Sequence, residues 1–263
     1  VGLTREKYTT RLTKSSALLE EMRLLVQIWK YDLPWLEQKQ KIILENPLGK
    51  KSKKRITEIL GKSFYPRFIK GNPPAAWKII RPLEDNNTPI EVLKPLYYWV
   101  SCRNEAILYD YVLEEIFFKR NGGDLTVRPQ ETILWLKKKL DENKKEWSPY
   151  VIQRIAQGVL TTLRDFGILE GAVKKKIAPV YLPLEAFAYL AFTLYKLGNS
   201  GESLINHTDW QLFLIDSMGV ERLFLEAHQN KFLHYDSAGK IYRIEFHANN
   251  WEEMANVITG KKY

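Results

Sequence analysis

Along the first half of the chain, apolar residues recur at intervals of three and four, the period of one buried face of an α-helix. Leu18, Leu19, Met22, Leu25, Val26 and Trp29 keep this spacing and predict a helix to about Lys30, with Ser15 or Ser16 placed to cap it. Residues 1–13 are a polar, basic arm. Asp32 and Pro34 predict a second helix over 34–45, because the first turn does not use the N–H that Pro lacks. Asn46-Pro47 stops it, and a short helix over 53–60 is expected to end at Gly61. Residues 64–82 are dense in Pro, Trp, Phe and Tyr and read as turns around a helix near 75–80. Asp85-Asn86-Asn87 reads as a loop, followed by helix over 89–96, 97–109 and 110–120.

Asn121-Gly122-Gly123 is the clearest interruption and sets the expected domain boundary, between 1–123 and 124–263. An extended entry over 124–129 then leads to a helix over 130–143. Ser148-Pro149, an N-cap followed by Pro, starts a helix to Phe166 with Val151, Ile152, Ile155, Val159, Leu160 and Leu163 inward and Gly167 as its C-terminal cap. Residues 173–179 are strand-like. Residues 182–197 are the most apolar stretch, but they fall short of the roughly 18 residues of a membrane span and contain Pro183, Glu185 and Lys196. A buried helix over 184–197 is expected there. Thr208 or Asp209 caps a helix over 210–217, Gly219 separates it from one over 220–229, and strands over 232–235 and 240–246 form a hairpin through 236–239. A last helix covers 251–258. The expected fold is mainly α, with two globular domains: an N-terminal helical bundle, and a C-terminal helical domain carrying a small β-hairpin or winged-helix-like element.

Composition supports a packed protein rather than a disordered polycation, since 45% of the 263 residues are hydrophobic and 13% aromatic. The single cysteine, Cys102, excludes a disulfide framework and argues against a Cys-based zinc site. It fits a reducing cytoplasm, and the basic N-terminus is not followed by the apolar block of a signal peptide. Charge changes the picture more. Residues 1–75 hold 16 Lys and Arg against 7 Asp and Glu, a net +9, whereas residues 201–263 hold 6 against 9, a net −3. The densest stretch is 49–55, Gly-Lys-Lys-Ser-Lys-Lys-Arg, with five cations in seven residues. Such asymmetry points to a polyanion, nucleic acid or an acidic membrane surface, with a solvated basic loop as the alternative.

Candidate chemistry is sparse. Gly61-Lys62-Ser63 matches the end of a phosphate-binding loop, but Ile56 stands where its first glycine belongs, so the backbone cannot wrap a phosphate. Gly198-Asn199-Ser200-Gly201 offers a serine without a strand-to-helix elbow. His228, His234, Asp236, Glu245 and His247 gather near the hairpin, and strand alternation lets His234 pair with Asp236 or Glu245 with His247. Their spacing matches no zinc signature, and they read as surface residues. Glu20 with Glu21, and Glu114 with Glu115, are helix neighbours about 100° apart and form no carboxylate dyad. No catalytic residue, metal or cofactor is expected, which sets aside a metal-dependent nuclease.

The helices over 130–143 and 149–166 carry more information. The second presents Gln153, Arg154, Gln157, Thr161 and Arg164 on its polar side, and Arg and Gln read guanine and adenine edges in a major groove. The basic strand with Lys174, Lys175 and Lys176 follows as a wing would, although an ordinary helical hairpin with a polar outer face fits the same pattern.

The run Tyr8-Thr9-Thr10-Arg11-Leu12-Thr13-Lys14-Ser15-Ser16-Ala17-Leu18-Leu19-Glu20-Glu21 resembles the start of the BREX A-protein family, BrxA, whose pattern opens with Tyr-Thr, a Leu, a Lys-Gly-Gly-like turn and an acidic residue in the first helix. Ser15-Ser16 stand where glycines are usual. The resemblance implies a non-enzymatic protein of two mainly helical domains that binds double-stranded DNA. It would serve a multi-protein phage-defence system containing a methyltransferase and ATPases.

Charge and position alone then nominate the DNA contacts: Lys50, Lys51, Lys53, Lys54 and Arg55 in the basic run, and Arg5, Arg11 and Lys14 on the arm. Arg154, Gln157, Lys174, Lys175 and Lys176 form a secondary surface. Expected partners are double-stranded DNA and other BREX proteins, with no membrane; a homo-oligomer is compatible with the sequence. A scaffold whose basic face meets an acidic protein is the alternative reading.

Overall fold

The computed structural model describes residues 8–239 and 241–261. It is mainly helical, with two small antiparallel sheets. A 3-10 turn, Arg11–Thr13, leads to α1 (Leu19–Ile28), α2 (Trp35–Glu45) and α3 (Lys53–Ile59). Neither Ser15 nor Ser16 caps α1, which starts after Leu18 in a left-handed conformation with no side-chain cap. Both serines are held elsewhere. Ser63 donates its hydroxyl to Ser15 Oγ at 2.7 Å, and the fully buried Arg67 donates to the carbonyls of Ser15 and Ser16 at 3.0 and 3.1 Å. A buried guanidinium thus satisfies two carbonyls of the turn, and this replaces the expected cap.

Gly61 does not end the third helix. The chain continues as a π-helix, Leu60–Ile69, whose Leu60, Phe64 and Phe68 are spaced by four and fully buried. Burying such side chains contributes about 1.5–3 kcal/mol each, which outweighs the roughly 1 kcal/mol cost of glycine in a helix. Lys70 N–H reaches back five residues to Tyr65 O at 2.9 Å, and these wider turns accommodate Pro66.

α4 (Ala76–Asp85) extends past the expected end and through Pro82. α5 (Ile90–Asn104) is one helix where two were expected, and α6 (Ala106–Tyr111), a π turn (Val112–Ile116) and α7 (Phe117–Asn121) follow. The break at Glu105 places its carboxylate against Arg67 and Arg11, at 3.3 and 3.4 Å.

After the turn at 121–123 come β1 (Thr126–Val127), α8 (Pro129–Glu142), α9 (Pro149–Asp165), β2 (Leu169–Glu170) and β3 (Lys175–Ile177). Ser148 caps α9 as its sequence predicts, accepting from Val151 N–H at 3.4 Å. β3 lies between β1 and β2 and is antiparallel to both. α10 (Leu184–Lys196) is the expected core helix, buried from Ala186 to Leu194. No helix among the described residues is long and apolar enough to cross a membrane.

α11 (Glu202–Ile205) and a 3-10 helix, Thr208–Phe213, come next. The latter is capped by the imidazole of His207, which accepts from Asp209 N–H at 3.2 Å, rather than by Thr208 or Asp209. Gly219 sits inside the first turn of α12 (Ser217–Gln229), because Asp216 caps that helix through Gly219 N–H at 2.8 Å. β4 (Leu233–Ala238) and β5 (Ile241–Phe246) pair along their full length, with Leu233 opposite Phe246 and Ala238 opposite Ile241, and α13 (Trp251–Thr259) ends the fold.

The hydrophobic core runs on both sides of residue 123. Polar hubs bind the two halves. Asp209 accepts from Trp99 Nε1 at 2.6 Å, Arg103 at 2.6 Å and Tyr109 OH at 2.8 Å. Tyr98 OH donates to Leu212 O at 3.0 Å, and Tyr189 OH to Ile79 O at 2.6 Å. Within the first half, Glu84 accepts from Arg23 at 2.9 and 3.0 Å, Gln27 at 2.7 Å and Tyr97 at 2.9 Å. Buried charges of this kind are tolerated only when paired and hydrogen-bonded, and each of these is.

Candidate nucleic-acid interface

The basic run starts in a loop that the Asn46 side chain closes and continues into α3. Asn46 ends α2 in a left-handed conformation, and its side chain accepts from Lys50 N–H at 2.9 Å and donates to Lys50 O at 3.0 Å. Ser52 then caps α3 by accepting from Arg55 N–H at 3.2 Å. This puts Lys53, Lys54 and Arg55 in the first turn of α3. Positive charge is unfavourable at that end of a helix, so helix stability does not explain the run.

The cations of the run differ in their surroundings. Lys50 pairs with Glu21 at 2.8 Å. Lys51, Lys53 and Lys54 are exposed, and none has an ion-pair partner among the described residues. Arg55 donates to Lys14 O at 3.1 Å, with Glu58 at 3.9 Å. Lys14 donates to Glu58 at 3.0 Å, and that hydrogen bond holds the Glu58 carboxyl below the usual carboxylate range.

The second wall comes from α9. Ile152, Ile155, Val159, Leu160 and Leu163 face the core, leaving Gln153, Arg154 and Gln157 exposed. Gly158 lies between these faces, and the carbonyl of Leu12 rests on it: a Cβ at this position would stand 2.3 Å from Leu12 O. Arg154 reaches Thr13 O at 3.5 Å. The arm therefore threads between α3 and α9, with Arg154 and Arg55 holding the consecutive carbonyls of Thr13 and Lys14.

The result is a cleft of about 380 Å³. Lys14, Arg55 and Arg154 supply its charge, Thr13, Gln157 and Thr161 its neutral polar groups, and its lining includes no carboxylate. Four of the residues nominated from the sequence, Lys14, Arg55, Arg154 and Gln157, meet here although they come from three separate segments. Lys51, Lys53 and Lys54 project from the adjoining start of α3.

Other nominated residues sit elsewhere. Arg11 is turned toward Glu105 and Asn104 O, at 3.4 and 3.0 Å. Lys174 and Lys176 are exposed on β3 and the turn before it, while Lys175 donates to Ala172 O at 2.9 Å; none of the three lines the cleft. Arg5 lies outside the described residues. Sequence reasoning missed Thr13, Ser16 and the docking of Leu12 on Gly158. The available signal was Gly158 itself, a lone glycine inside a strong helical pattern, which marks close approach of another segment.

No group of three or more His, Cys, Asp or Glu able to hold a metal occurs among the described residues. His234 pairs with Asp236 at 3.1 Å, while Glu245 is bound by Arg243 at 2.8 Å. Gly61-Lys62-Ser63 lies within the π-helix, with the Ser63 side chain buried.

Against known proteins, a family model described as BrxA matches residues 6–193, which takes in the arm from residue 6, α3, α9 and the whole cleft. No curated protein matches the chain.

Proposed function

The chain belongs to the BrxA family, which places it among the components of BREX phage-defence systems, and we propose that there it is a non-enzymatic protein that binds double-stranded DNA. The observation that carries this reading is the convergence of Lys14, Arg55 and Arg154 on one carboxylate-free cleft beside the unpaired Lys51, Lys53 and Lys54. Lys14 and Arg55 share the single carboxylate of Glu58, and Arg154, Lys51, Lys53 and Lys54 have none among the described residues, so a net positive charge is left at a folded surface and suits a polyanion. Contacts with successive phosphates release condensed counterions and supply most of the affinity.

The order of β1, α8, α9, β2 and β3, with β3 between β1 and β2, agrees with a winged-helix-like element. In such an element α9 would be the helix that enters a groove. Here the arm crosses α9 at Gly158, so its outer face is not free along its length. Phosphate contact therefore dominates over base reading, and binding is expected to be largely independent of sequence. Arg154 and Gln157 are the cleft residues suited to a base edge, and Lys174 with Lys176 offer a second phosphate contact where a wing would lie. A cytoplasmic location and docking to other BREX proteins belong to the same proposal.

The test is fluorescence anisotropy of a labelled duplex at about 0.15 M salt, comparing the native chain with Lys51→Glu/Lys53→Glu/Lys54→Glu. Lys50 is left out because its pairing with Glu21 makes it structural. The expected result is a clear complex that weakens at least about a hundredfold in the variant, with unfolding unchanged. Equal affinity, or no complex with the native chain, contradicts the proposal; the latter is what a scaffold for an acidic protein partner predicts.

A further inference from the structure

The cleft has a property that a diffuse cationic surface lacks: each of its two guanidinium groups reaches a neutral carbonyl of the arm. Arg55 donates to Lys14 O and Arg154 to Thr13 O. A guanidinium carries five N–H donors, so the 3.1 Å bond from Arg55 orients its fork, the long 3.5 Å contact from Arg154 sets its place beside Thr13, and both keep most of their donors for a ligand. Arg154 has no carboxylate within ion-pair distance among the described residues, and Arg55 reaches Glu58 only at 3.9 Å. Lys14, Arg55 and Arg154 bring +3, and Glu58 beside them brings −1, which leaves +2 at the cleft. Gln157 and Thr161, one turn apart on α9, add uncharged hydrogen-bonding groups. The volume, about 380 Å³, lies at the small end of the roughly 300–1,000 Å³ range of small-ligand sites. It is too small to engulf a duplex.

We infer that this cleft is a discrete site for a phosphate monoester: the terminal phosphate of a free nucleotide or of a DNA strand end. A monoester carries about −1.5 to −2 at neutral pH and three acceptor oxygens, which matches the surplus charge and the two forks. A backbone phosphodiester, with a single negative charge, leaves the cleft under-neutralised. The inference deepens the duplex-binding reading by assigning the ligand of its central cleft, yet the two fail separately.

Isothermal titration of the full chain with 2′-deoxyadenosine 5′-monophosphate, and with deoxyadenosine as the control, tests it. The monophosphate is expected to bind at one per chain and deoxyadenosine not at all. Arg154→Ala is expected to weaken the monophosphate at least about tenfold. Arg154→Lys restores only part of this, since a lysine keeps the charge without the fork. Gln157→Glu, at an exposed position, lowers binding by placing a carboxylate in the cleft. Two otherwise identical duplexes, one with 5′-phosphates and one with 5′-hydroxyls, distinguish the sources. Tighter binding of the phosphorylated duplex assigns a strand end, and equal binding beside a bound monophosphate assigns a free nucleotide. The inference is overturned if the monophosphate gives no more heat than deoxyadenosine, or if Arg154→Ala binds it as the native chain does. A chain that binds the monophosphate but no duplex supports the cleft and refutes the duplex reading. A chain that binds duplex through Lys51, Lys53 and Lys54 but no monophosphate does the reverse.

Discussion

Gly158→Ala isolates the contact on which the cleft depends. In an ordinary helix this change is favourable by about 0.8–1 kcal/mol, because alanine is the better helix former. At this position the added Cβ would lie 2.3 Å from the carbonyl oxygen of Leu12, whereas C···O contacts are normally about 3.3 Å or more. Both atoms belong to backbone or are fixed to it, so the arm has to rise by about 1 Å. The arm is not free to do so cheaply. Leu12 is only 3% exposed, Tyr8 OH is bonded to Asp110 at 2.8 Å, and Lys145 donates to Tyr8 O. Overpacking of this kind costs about 1–3 kcal/mol, and partial exposure of Leu12 adds some of the roughly 1.5–3 kcal/mol its burial contributes. After the gain in propensity, a net loss of about 1–3 kcal/mol is expected. Urea denaturation followed by circular dichroism measures it directly, and thermal unfolding should fall by about 2–4 °C for each kcal/mol. A Gly158→Ala protein as stable as its parent, or more so, would refute the packing of the arm on α9 and with it the geometry of the cleft.

Other outcomes follow from the buried hubs. Glu84→Gln should destabilise by about 3–5 kcal/mol in urea titrations, because Arg23 loses its charged partner in a site where Glu84 is almost fully enclosed. Asp209 is buried, which by itself would raise its carboxyl; Arg103, His207 and the hydrogen bonds from Arg103 and Tyr109 outweigh this and hold it below the usual range. A depressed carboxylate contributes stability that is present above its unfolded value of about 3.9 and is lost as pH falls through the lower folded value. Melting temperature should therefore drop in acid below about pH 4, and Asp209→Asn should be less stable at neutral pH and lack that part of the acid dependence. Cys102 is buried, and burial pushes its thiol well up; a thiol reagent should leave it unmodified until denaturant is added, and modification of the native chain at neutral pH would contradict its burial.

The sequence is most legible where burial and local chemistry agree. The Ser148-Pro149 start of α9 and the apolar α10 read correctly, because cap and period point the same way; the hairpin of β4 and β5 is where it was expected, but Asp236, Ser237 and Ala238, expected in its turn, pair with Arg243, Tyr242 and Ile241 as part of β4. It misleads where tertiary burial overrides a local stop. Gly61 and Pro66 lie within a continuous helical segment because Leu60, Phe64 and Phe68 hold it in the core, and Gly219 serves a cap rather than a break. Ser15 and Ser16 look like caps, but their partners are Arg67 and Ser63, about fifty residues away, and no local pattern announces such a pairing. The same limit applies to the interface. Charge density found the run at 49–55, but Arg55 and Arg154 meet only through the arm, and Lys50 and Arg11 are taken by Glu21 and Glu105. Which cations are spent on carboxylates is a property of three-dimensional pairing, and charge counting along the chain is blind to it.

In the proposed function, Lys51 and the exposed lysines of α3, with the adjoining cleft, bind a duplex through its phosphates. The most direct test is the dependence of duplex affinity on salt, measured from about 0.05 to 0.2 M. Each phosphate neutralised contributes about −0.9 to the slope of log K against log salt. Contacts from Lys51, Lys53 and Lys54, with one phosphate shared by Arg55 and Arg154 in the cleft, predict a slope of about −3.6. Removing the three lysines should make it shallower by about 2.7. A slope near zero, or one that the triple Lys→Glu change leaves untouched, would contradict the account.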